Sequence, residues 1–352
     1  MTTKRNIRIK DIAEKAGVSI GTVDRVLHKR GEVAETTRKV IMQIVEELDY
    51  HPNILASTLA SKKNIMIATL MPKSATPDSY WAKPHRGITS AIGKMTQYGV
   101  RAQHFYFEME VEGSFSAEAL KLLEANPDAV LMAPWAEVEA LKFTQRLDER
   151  LIPYLFIDSN LEGAHPVSFV VQNSLQSGYL AAKLIDYGVS TDSQLLLLHI
   201  TKKGLISRHL SDREKGFMHY FEMRGVSPSR ILKLEIAGNS GELEEKLSAV
   251  GLALCDIAAV FVTNSKVHLA AESFKSLCKT PKIIGYDLIP QNIALLKTGV
   301  IDFLISQKPE AQGYMAANLL FDFLIKKEQV PAENYISIDI IAAENLDYYS
   351  SF

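Results

Sequence analysis

The sequence contains little that would place it in a membrane or in an oxidising compartment. It has only two cysteines, Cys255 and Cys278, and no apolar run reaches the roughly 18 residues that a membrane span requires. The N-terminal residues MTTKRNIRIKDIAEKAG also lack the apolar core of a secretion signal. We therefore expect a cytoplasmic protein without a membrane partner, in which both cysteines are buried, reduced thiols.

Sequence motifs for cofactor and metal binding are missing as well. Neither GxGxxG nor GxxxxGK[ST] follows the first apolar run, which argues against the common nucleotide-binding loops. The nine histidines are scattered without paired spacing, and the two cysteines match no metal or redox motif. We expect no cofactor, no metal and no catalytic residues, so the protein is not predicted to be an enzyme.

Charge of both signs is plentiful, but it is unevenly distributed. The net charge is −2, yet residues 1–63 carry twelve Lys/Arg and eight Asp/Glu, so the acidic excess lies in the rest of the chain. A chain of 352 residues is also too long for one ordinary hydrophobic core. A basic N-terminal domain on an acidic body indicates that only the N-terminal domain binds a polyanion.

The first residues have the pattern of two short helices joined by a tight turn. Gly17 ends the first helix, and Ser19 caps the second, with Thr22 at its third position. Such a pair is typical of a helix-turn-helix. The apolar stripes of the two helices are formed by Ile9, Ile12, Ala13, Ala16, Val23, Val26 and Leu27.

A third helix is predicted from about Glu35 to Leu48, and it closes a small three-helix core within residues 1–51. Pro52 forbids its continuation, and residues 52–63 then form a short hinge helix with Asn53 as its predicted cap. A helix this short is marginal alone, so we expect it to require a packing partner. The side chains predicted to face inward from the third helix are Val40, Ile41, Ile44, Val45 and Leu48.

Residues 7–63 resemble the DNA-binding headpiece and hinge of the LacI/GalR family of bacterial transcription regulators. The resemblance is carried by DIAEKAGVS, TV.RVL, V...TR, LDYHPN and LASTLASKK, which follow one another without interruption. It implies that a recognition helix enters the major groove of operator DNA. It also implies that two hinge segments fold against each other in the minor groove.

The same resemblance assigns DNA contacts to individual positions. Ile20, Gly21 and Arg25 match positions that face the major groove. Leu59 matches the hinge leucine that wedges into the minor groove, which is a known way to kink DNA. The remaining predicted DNA-binding residues are Ser19 and Thr22 at phosphate and cap positions, Ala56 beside Leu59, Asn53, Asp24 and His28. Alternatively, Arg25 is a solvated surface base and Leu59 packs into the body as a core residue.

Asp24 is unexpected on a helix that faces a phosphate backbone, and three interpretations stay open. It can accept a hydrogen bond from a cytosine N4 amino group. It can pair with His28 one turn later and orient that ring. It can also repel the wrong operators.

Residues 64–352 alternate short apolar runs with amphipathic segments, which predicts βα repeats and parallel sheets. The runs are too many for one open sheet, so we predict an α/β effector domain of two doubly wound lobes with a ligand in the crevice. The first lobe is expected to comprise about residues 64–173 and 308–326. The second is expected to comprise about 174–307 and 327–352.

Polar residues follow several of these apolar runs, where parallel strands would bring them to one edge. The order resembles that of type I periplasmic sugar-binding proteins, which share their fold with the LacI/GalR effector domain. By that resemblance Tyr80 and Trp81 lie where aromatics stack on a sugar ring. Alternatively, strand-end Asp and Asn cap helices and the two aromatics are core residues. The polar residues predicted to bind the effector are Asp158, Gln172, Asn173, Arg213, Asn264, Asp287 and Gln307.

These patterns together predict a sequence-specific DNA-binding regulator, a repressor controlled by a small-molecule effector. Carboxylates, amides and an arginine suit a polyol, so the expected effector is a sugar or a sugar derivative. The resemblance implies a homodimer on a pseudo-palindromic operator. The alternative is the solute receptor of a sugar transporter, against which the basic headpiece and the missing secretion signal argue.

Overall fold

The computed structural model describes residues 7–27, 31–48, 50, 64–201, 207–239, 241–275, 277 and 280–349. The chain divides into two compact units, residues 1–61 and residues 62–352. Of the predicted DNA-binding residues, His28, Asn53, Ala56 and Leu59 lie outside the described residues, as does Cys278.

The first unit contains three helices, α1 (Ile9–Ala16), α2 (Ile20–Leu27) and α3 (Glu35–Glu47). Gly17 ends α1 in the left-handed region at φ 64°, which a side chain would disfavour. The Ser19 hydroxyl accepts from the backbone N–H of Thr22 at 3.2 Å, as expected of a helix cap. The buried core comprises Ile12, Ala13, Val23, Val26, Ile41, Ile44 and Tyr50.

Val40 was predicted to face this core, but it is 48% exposed, so that prediction is wrong. The buried residues of α3 are Ile41 and Ile44, and Val40 lies at the solvent-facing border of the stripe that they form. Cys255, predicted to be buried, is also exposed, because it lies in a single 3-10 turn before a strand.

The second unit contains two six-stranded sheets. One has the order β11-β5-β4-β3-β1-β2, and the other has the order β12-β10-β9-β8-β6-β7. All pairs are parallel except β10 with β12. The strands are β1 (Ile65–Pro72), β2 (Val100–Phe107), β3 (Ala129–Met132), β4 (Tyr154–Asp158), β5 (Ser168–Gln172), β6 (Gln194–Ile200), β7 (Ile231–Ile236), β8 (Ile257–Val262), β9 (Lys282–Tyr286), β10 (Phe303–Ser306), β11 (Glu333–Ile336) and β12 (Asp339–Ile341).

Helices cover both faces of each sheet, so the prediction of two doubly wound α/β lobes is confirmed. No helix in the described ranges is long and apolar enough to cross a bilayer. The helices of this unit are α4 (Ala82–Met95), α5 (Ser114–Glu124), α6 (Glu137–Glu149), α7 (Ser174–Gly188), α8 (Arg208–Met223), α9 (Glu242–Ala249), α10 (Val267–Phe274), α11 (Pro290–Lys297) and α12 (Pro309–Phe321), and a π-helical turn, Asp322–Lys326, follows α12.

The assignment of residues 327–352 to the second lobe is wrong in part. β11 pairs with β5 in the first sheet, so the first lobe extends to Ile336. β12 then pairs with β10 in the second sheet. The chain therefore passes between the sheets three times, after β5, after β10 and between β11 and β12. The two last strands are short and carry polar residues, so their sequence lacks the apolar run that marked the others.

Candidate functional site

Helix α2 presents the residues that were predicted to face the major groove on its outer face. Ile20 is 51% exposed, and Gly21 and Arg25 are exposed as well. The Arg25 Nε donates to the Gly21 carbonyl oxygen at 3.1 Å, which directs the guanidinium along the helix. An exposed isoleucine and a guanidinium on one helix suit a major-groove surface, because apolar contacts read thymine methyl groups and arginine reads guanine.

Asp24 lies on the same helix but is only half-exposed. Burial raises the pKa of the Tyr50 phenol, and the negative charge of Asp24 raises that pKa further. Tyr50 belongs to the buried core, so the Asp24 charge acts partly on the interior of the headpiece. Asp24 therefore interacts with the headpiece interior in addition to any contact that it makes with DNA.

A cavity of about 680 Å³ lies between the two lobes of the second unit. This volume is in the range of small-molecule sites. Both tryptophans of the chain, Trp81 and Trp135, line it. Of the predicted effector residues, the structure brings together Tyr80, Trp81, Asp158, Arg213, Asn264 and Gln307 in its wall.

Asp158 ends β4 and is held from two sides. The Tyr80 hydroxyl donates to its Oδ1 at 2.5 Å, and its backbone N–H donates to the Gln312 Oε1 at 2.9 Å. Burial raises the pKa of Asp158, and the Tyr80 hydrogen bond and the Arg213 charge oppose that rise. A buried carboxylate with remaining acceptor capacity favours a ligand that donates hydrogen bonds.

Arg213 is 1% exposed and is fixed by groups of the second lobe. Its Nη1 donates to the Thr263 carbonyl oxygen at 2.6 Å and its Nη2 to the Gln307 Oε1 at 2.5 Å. The guanidinium lies over the Tyr286 ring at 3.7 Å, within cation–π range. The Nε is buried and has no hydrogen-bond partner among the described residues, whereas each Nη nitrogen keeps a second N–H for a ligand at the cavity wall.

Close packing of α7 on α8 positions Arg213. A Cβ added to Gly178 would lie 1.9 Å from the Arg213 carbonyl oxygen, which is far inside van der Waals contact. Only glycine lets the two helices approach this closely, so the sequence of α7 determines where the arginine backbone lies.

Asp287 is 1% exposed and acts from behind the cavity wall rather than in it. It accepts from the Gln307 Nε2 at 2.6 Å and from the Gln307 backbone N–H at 3.2 Å. It therefore orients the carboxamide that in turn holds Arg213. Burial raises the pKa of Asp287 to about 6, although Arg213 and the Gln307 hydrogen bonds lower it in part.

We expect effector affinity to fall about tenfold between pH 7 and pH 5, because a proton on Asp287 removes an acceptor that orients Gln307. The Asp287→Asn variant should bind more weakly at pH 7 and show a flat profile. Titration calorimetry across this pH range measures both.

The sign of the stability effect provides an independent control. The folded pKa of about 6 lies above the ordinary 3.8, so the native state binds this proton more tightly than the unfolded chain. Asp287 therefore makes the free energy of unfolding rise as the pH falls from about 6 towards 4. If the effector binds more weakly at pH 5 while the free energy of unfolding is unchanged or higher, the lost affinity comes from the site and not from unfolding. Effector affinity that stays constant from pH 7 to pH 5 contradicts the prediction.

Three predicted effector residues have structural partners of their own. Asn264 donates to the Ile200 carbonyl oxygen at 2.9 Å while lining the cavity. Asn173 caps α7 by accepting from the Gln176 backbone N–H at 3.0 Å. Gln172 donates to backbone carbonyls, and with Asn173 it lines a separate cavity of about 240 Å³. Effector contacts by these residues stay predictions.

Sequence reasoning missed Trp135 and His209, whose rings lie 6.2 Å apart in the wall of the large cavity. Both had a signal. Trp135 directly follows the apolar run of β3, and His209 lies four residues before Arg213 on one face of α8. Burial and then the Arg213 charge lower the pKa of His209 well below its ordinary value, so the ring is neutral at pH 7.

The cavity wall thus combines carboxylate, carboxamide and guanidinium groups with aromatic rings. It can satisfy vicinal hydroxyls and cover the apolar face of a ring at the same time. No cluster of three or more potential metal-ligating side chains occurs in the described part of the chain.

Two family models match the chain, one in each unit. Residues 8–53 match the model "Bacterial regulatory proteins, lacI family", and residues 67–328 match the model "Periplasmic binding protein domain". The second match covers most of the chain.

Individual proteins match the chain over part of its length or nearly all of it. The ribose operon repressor of Bacillus subtilis is 28% identical over 349 residues, which cover 94% of this chain and 95% of that protein. Catabolite control protein A of Streptococcus mutans is 38% identical over 100 residues, which cover 28% of this chain and 29% of that protein. A crystal structure from Bacteroides fragilis, assigned as a LacI transcriptional regulator, superimposes with a TM-score of 0.74 at 32% identity and covers 82% of this chain and all of that one.

Proposed function

The chain belongs to the lacI family of bacterial regulatory proteins, and we propose that it is a transcriptional repressor whose operator affinity is controlled by a sugar or sugar derivative. One observation carries the proposal. The chain that presents Ile20, Gly21 and Arg25 on an exposed recognition helix also encloses a cavity of about 680 Å³ walled by Asp158 and Arg213.

The DNA half of the function is proposed to require two copies of the chain. A homodimer places one headpiece on each half of a pseudo-palindromic operator. Residues 52–63 then form the hinge, with Leu59 and Ala56 in the minor groove at the operator centre. A DNA-binding role also places the protein in the cytoplasm.

The ligand half of the function is proposed to use Asp158 and Arg213 as the main polar contacts. Asp158 accepts from hydroxyls and Arg213 donates to ring or hydroxyl oxygens, while Trp81 and Trp135 cover the ring faces. The hydroxyl groups of a polyol would replace the water that hydrates these polar side chains. A switch from mostly bound to mostly free operator requires about 3–5 kcal/mol of differential affinity between the two states.

Because both tryptophans line the cavity, intrinsic fluorescence reports on ligand binding without a label. We expect one member of a panel of monosaccharides, sugar acids and polyols to change the emission and to change the retardation of a genomic operator fragment. A Trp135→Phe variant should keep part of the emission change and full operator binding. Retardation of no genomic fragment at low salt would refute the repressor and leave the solute receptor.

Replacing Asp24 with serine should raise the affinity for all operator sequences by a similar, few-fold factor. The variant removes one negative charge near the phosphates, and the half-exposed Asp24 acts partly on Tyr50 rather than on a base. A base-substitution scan of the operator with both proteins measures this. Relaxed preference at a single G·C pair would instead assign Asp24 to cytosine recognition.

A further inference from the structure

The three connections between the lobes converge on one side chain, that of Gln172. This residue ends β5 in the first sheet. Ser306 ends β10 in the second sheet, and Ser337 lies between β11 and β12. The Gln172 Nε2 donates to the Ser306 carbonyl oxygen at 2.9 Å and to the Ser337 carbonyl oxygen at 3.3 Å. One carboxamide therefore joins all three crossings.

The orientation of this carboxamide is determined by its surroundings. Both partners are backbone carbonyl oxygens, which only accept, so the amide nitrogen must face them. Gln172 is only 3% exposed, although it borders the smaller cavity. Its Oε1 is buried and has no partner in the part of the chain that the structure describes.

Hydrogen bonds that run from one sheet to the other depend on the angle between the lobes. Their geometry weakens steeply as the bond bends, so they favour the lobe arrangement in which they are straight. The unpaired Oε1 has the opposite effect, because an unsatisfied buried acceptor costs free energy in this arrangement. The two donated bonds favour this arrangement and the unpaired acceptor opposes it, so this one side chain contributes to the free-energy difference between lobe angles.

A second carboxamide connects this junction to the large cavity. The Gln312 Nε2 donates to the Gln307 carbonyl oxygen at 2.9 Å, directly after the β10 crossing. Its Oε1 accepts from the backbone N–H of Asp158 at 2.9 Å. Any shift at the crossings is thus passed to two residues of the cavity wall.

We propose that Gln172 is a positioning residue that sets the equilibrium between two angles of the lobes. It does not line the large cavity, so its influence on a ligand there acts through the lobe angle. Only the consequence for operator release rests on the proposed repressor function. The lobe equilibrium itself belongs to the chain without DNA or ligand.

The test measures the distance between the lobes in the full-length protein by double electron–electron resonance. Spin labels at Val138 and Met223, each 69% exposed and in different lobes, report the angle. Cys255 and Cys278 are replaced by serine, and labelled protein is diluted with unlabelled protein so that only distances within one chain are seen. Variants are Gln172→Leu, which removes both donors, and Gln172→Glu, which keeps the shape.

The matched control is Gln194→Leu, because the Gln194 Nε2 also donates to a backbone carbonyl, that of Arg230 at 3.0 Å, but within one lobe. We expect both Gln172 variants to change the ratio of the two distance populations by about tenfold, and Gln194→Leu to leave it unchanged. Melting temperatures verify that each variant is folded. Folded Gln172 variants with the distance distribution of the parent protein would overturn the proposal.

Operator binding distinguishes this proposal from that of the repressor function. If no operator is found but the distances shift, the hinge role stands and the repressor function fails. If the protein binds an operator and responds to a sugar, the Gln172 variants should change the size of that response by about tenfold. An unchanged distance distribution still overturns the hinge role in either case.

Discussion

Effector binding is expected to be lost, by a factor of 100 or more, when Arg213 is replaced by alanine. The two described side-chain hydrogen bonds of Arg213, to Thr263 and Gln307, use one N–H of each Nη nitrogen and leave the second N–H of each for a ligand at the cavity wall. A hydrogen bond from a charged group contributes about 1.5–3 kcal/mol. The loss of two such bonds to the ligand therefore lowers its affinity by more than about 100-fold. Fluorescence titration of the parent protein and the variant measures the ratio.

The same substitution should also lower the free energy of unfolding. Arg213 is fully buried, and its removal leaves the Gln307 carboxamide and the Asp287 carboxylate without their positive partner. Removing one partner of a buried charged group costs about 3–5 kcal/mol. Operator binding without effector should persist at temperatures where the variant is folded, because none of the predicted DNA contacts lies in this cavity.

Arg230→Ala separates lost binding from lost stability. Arg230 is also buried, and it donates to the carbonyl oxygens of Ser190 and Ser193, each at 2.8 Å. It lies outside the wall of the large cavity. Its replacement should lower stability while effector affinity remains within a few-fold of the parent value. Equal loss of affinity in both variants would mean that Arg213 acts through folding and not through contact.

The strands of the effector domain were predictable where burial made them apolar on both faces. Eight strands from Ile65 to Ser306 follow this rule, because central parallel strands contact helices on both sides. The edge strands β2 and β7 were predicted as well, from runs that mix buried and exposed residues. The pattern failed at β11 and β12, which are edge strands with exposed polar residues such as Glu333. Edge strands need fewer apolar residues, so the hydrophobic pattern does not identify the last crossing between the lobes.

The candidate site was predictable in its polar residues but not in their grouping. Strand ends identified Asp158 and Gln307, since parallel strands end at one edge. Gln172 lies at the crossings between the lobes, and Asp287 lies behind the cavity wall. Both positions depend on hydrogen bonds between residues far apart in the chain. Such partners have no local signature in the sequence, and only the fold defines them.

Operator affinity is expected to fall by a factor of about 10 to 100 when Arg25 is replaced by alanine. Arg25 is exposed on α2, and a guanidinium that pairs with a guanine contributes about 1–3 kcal/mol. Alanine is the best helix former, so α2 should remain folded. Effector affinity should be unchanged, because Arg25 is absent from the cavity wall.

Lys15→Ala is the matched control, because it removes the same charge from the same headpiece. Its ammonium pairs with Glu47 at 2.8 Å, so it is engaged within the headpiece. A fall in operator affinity for Arg25→Ala alone, together with relaxed preference at one base pair, assigns Arg25 to base recognition. A uniform fall with a salt dependence reduced by about one charge assigns it to a phosphate. An equal fall for both variants would show that α2 contributes only net charge, and would contradict its assignment as the recognition helix.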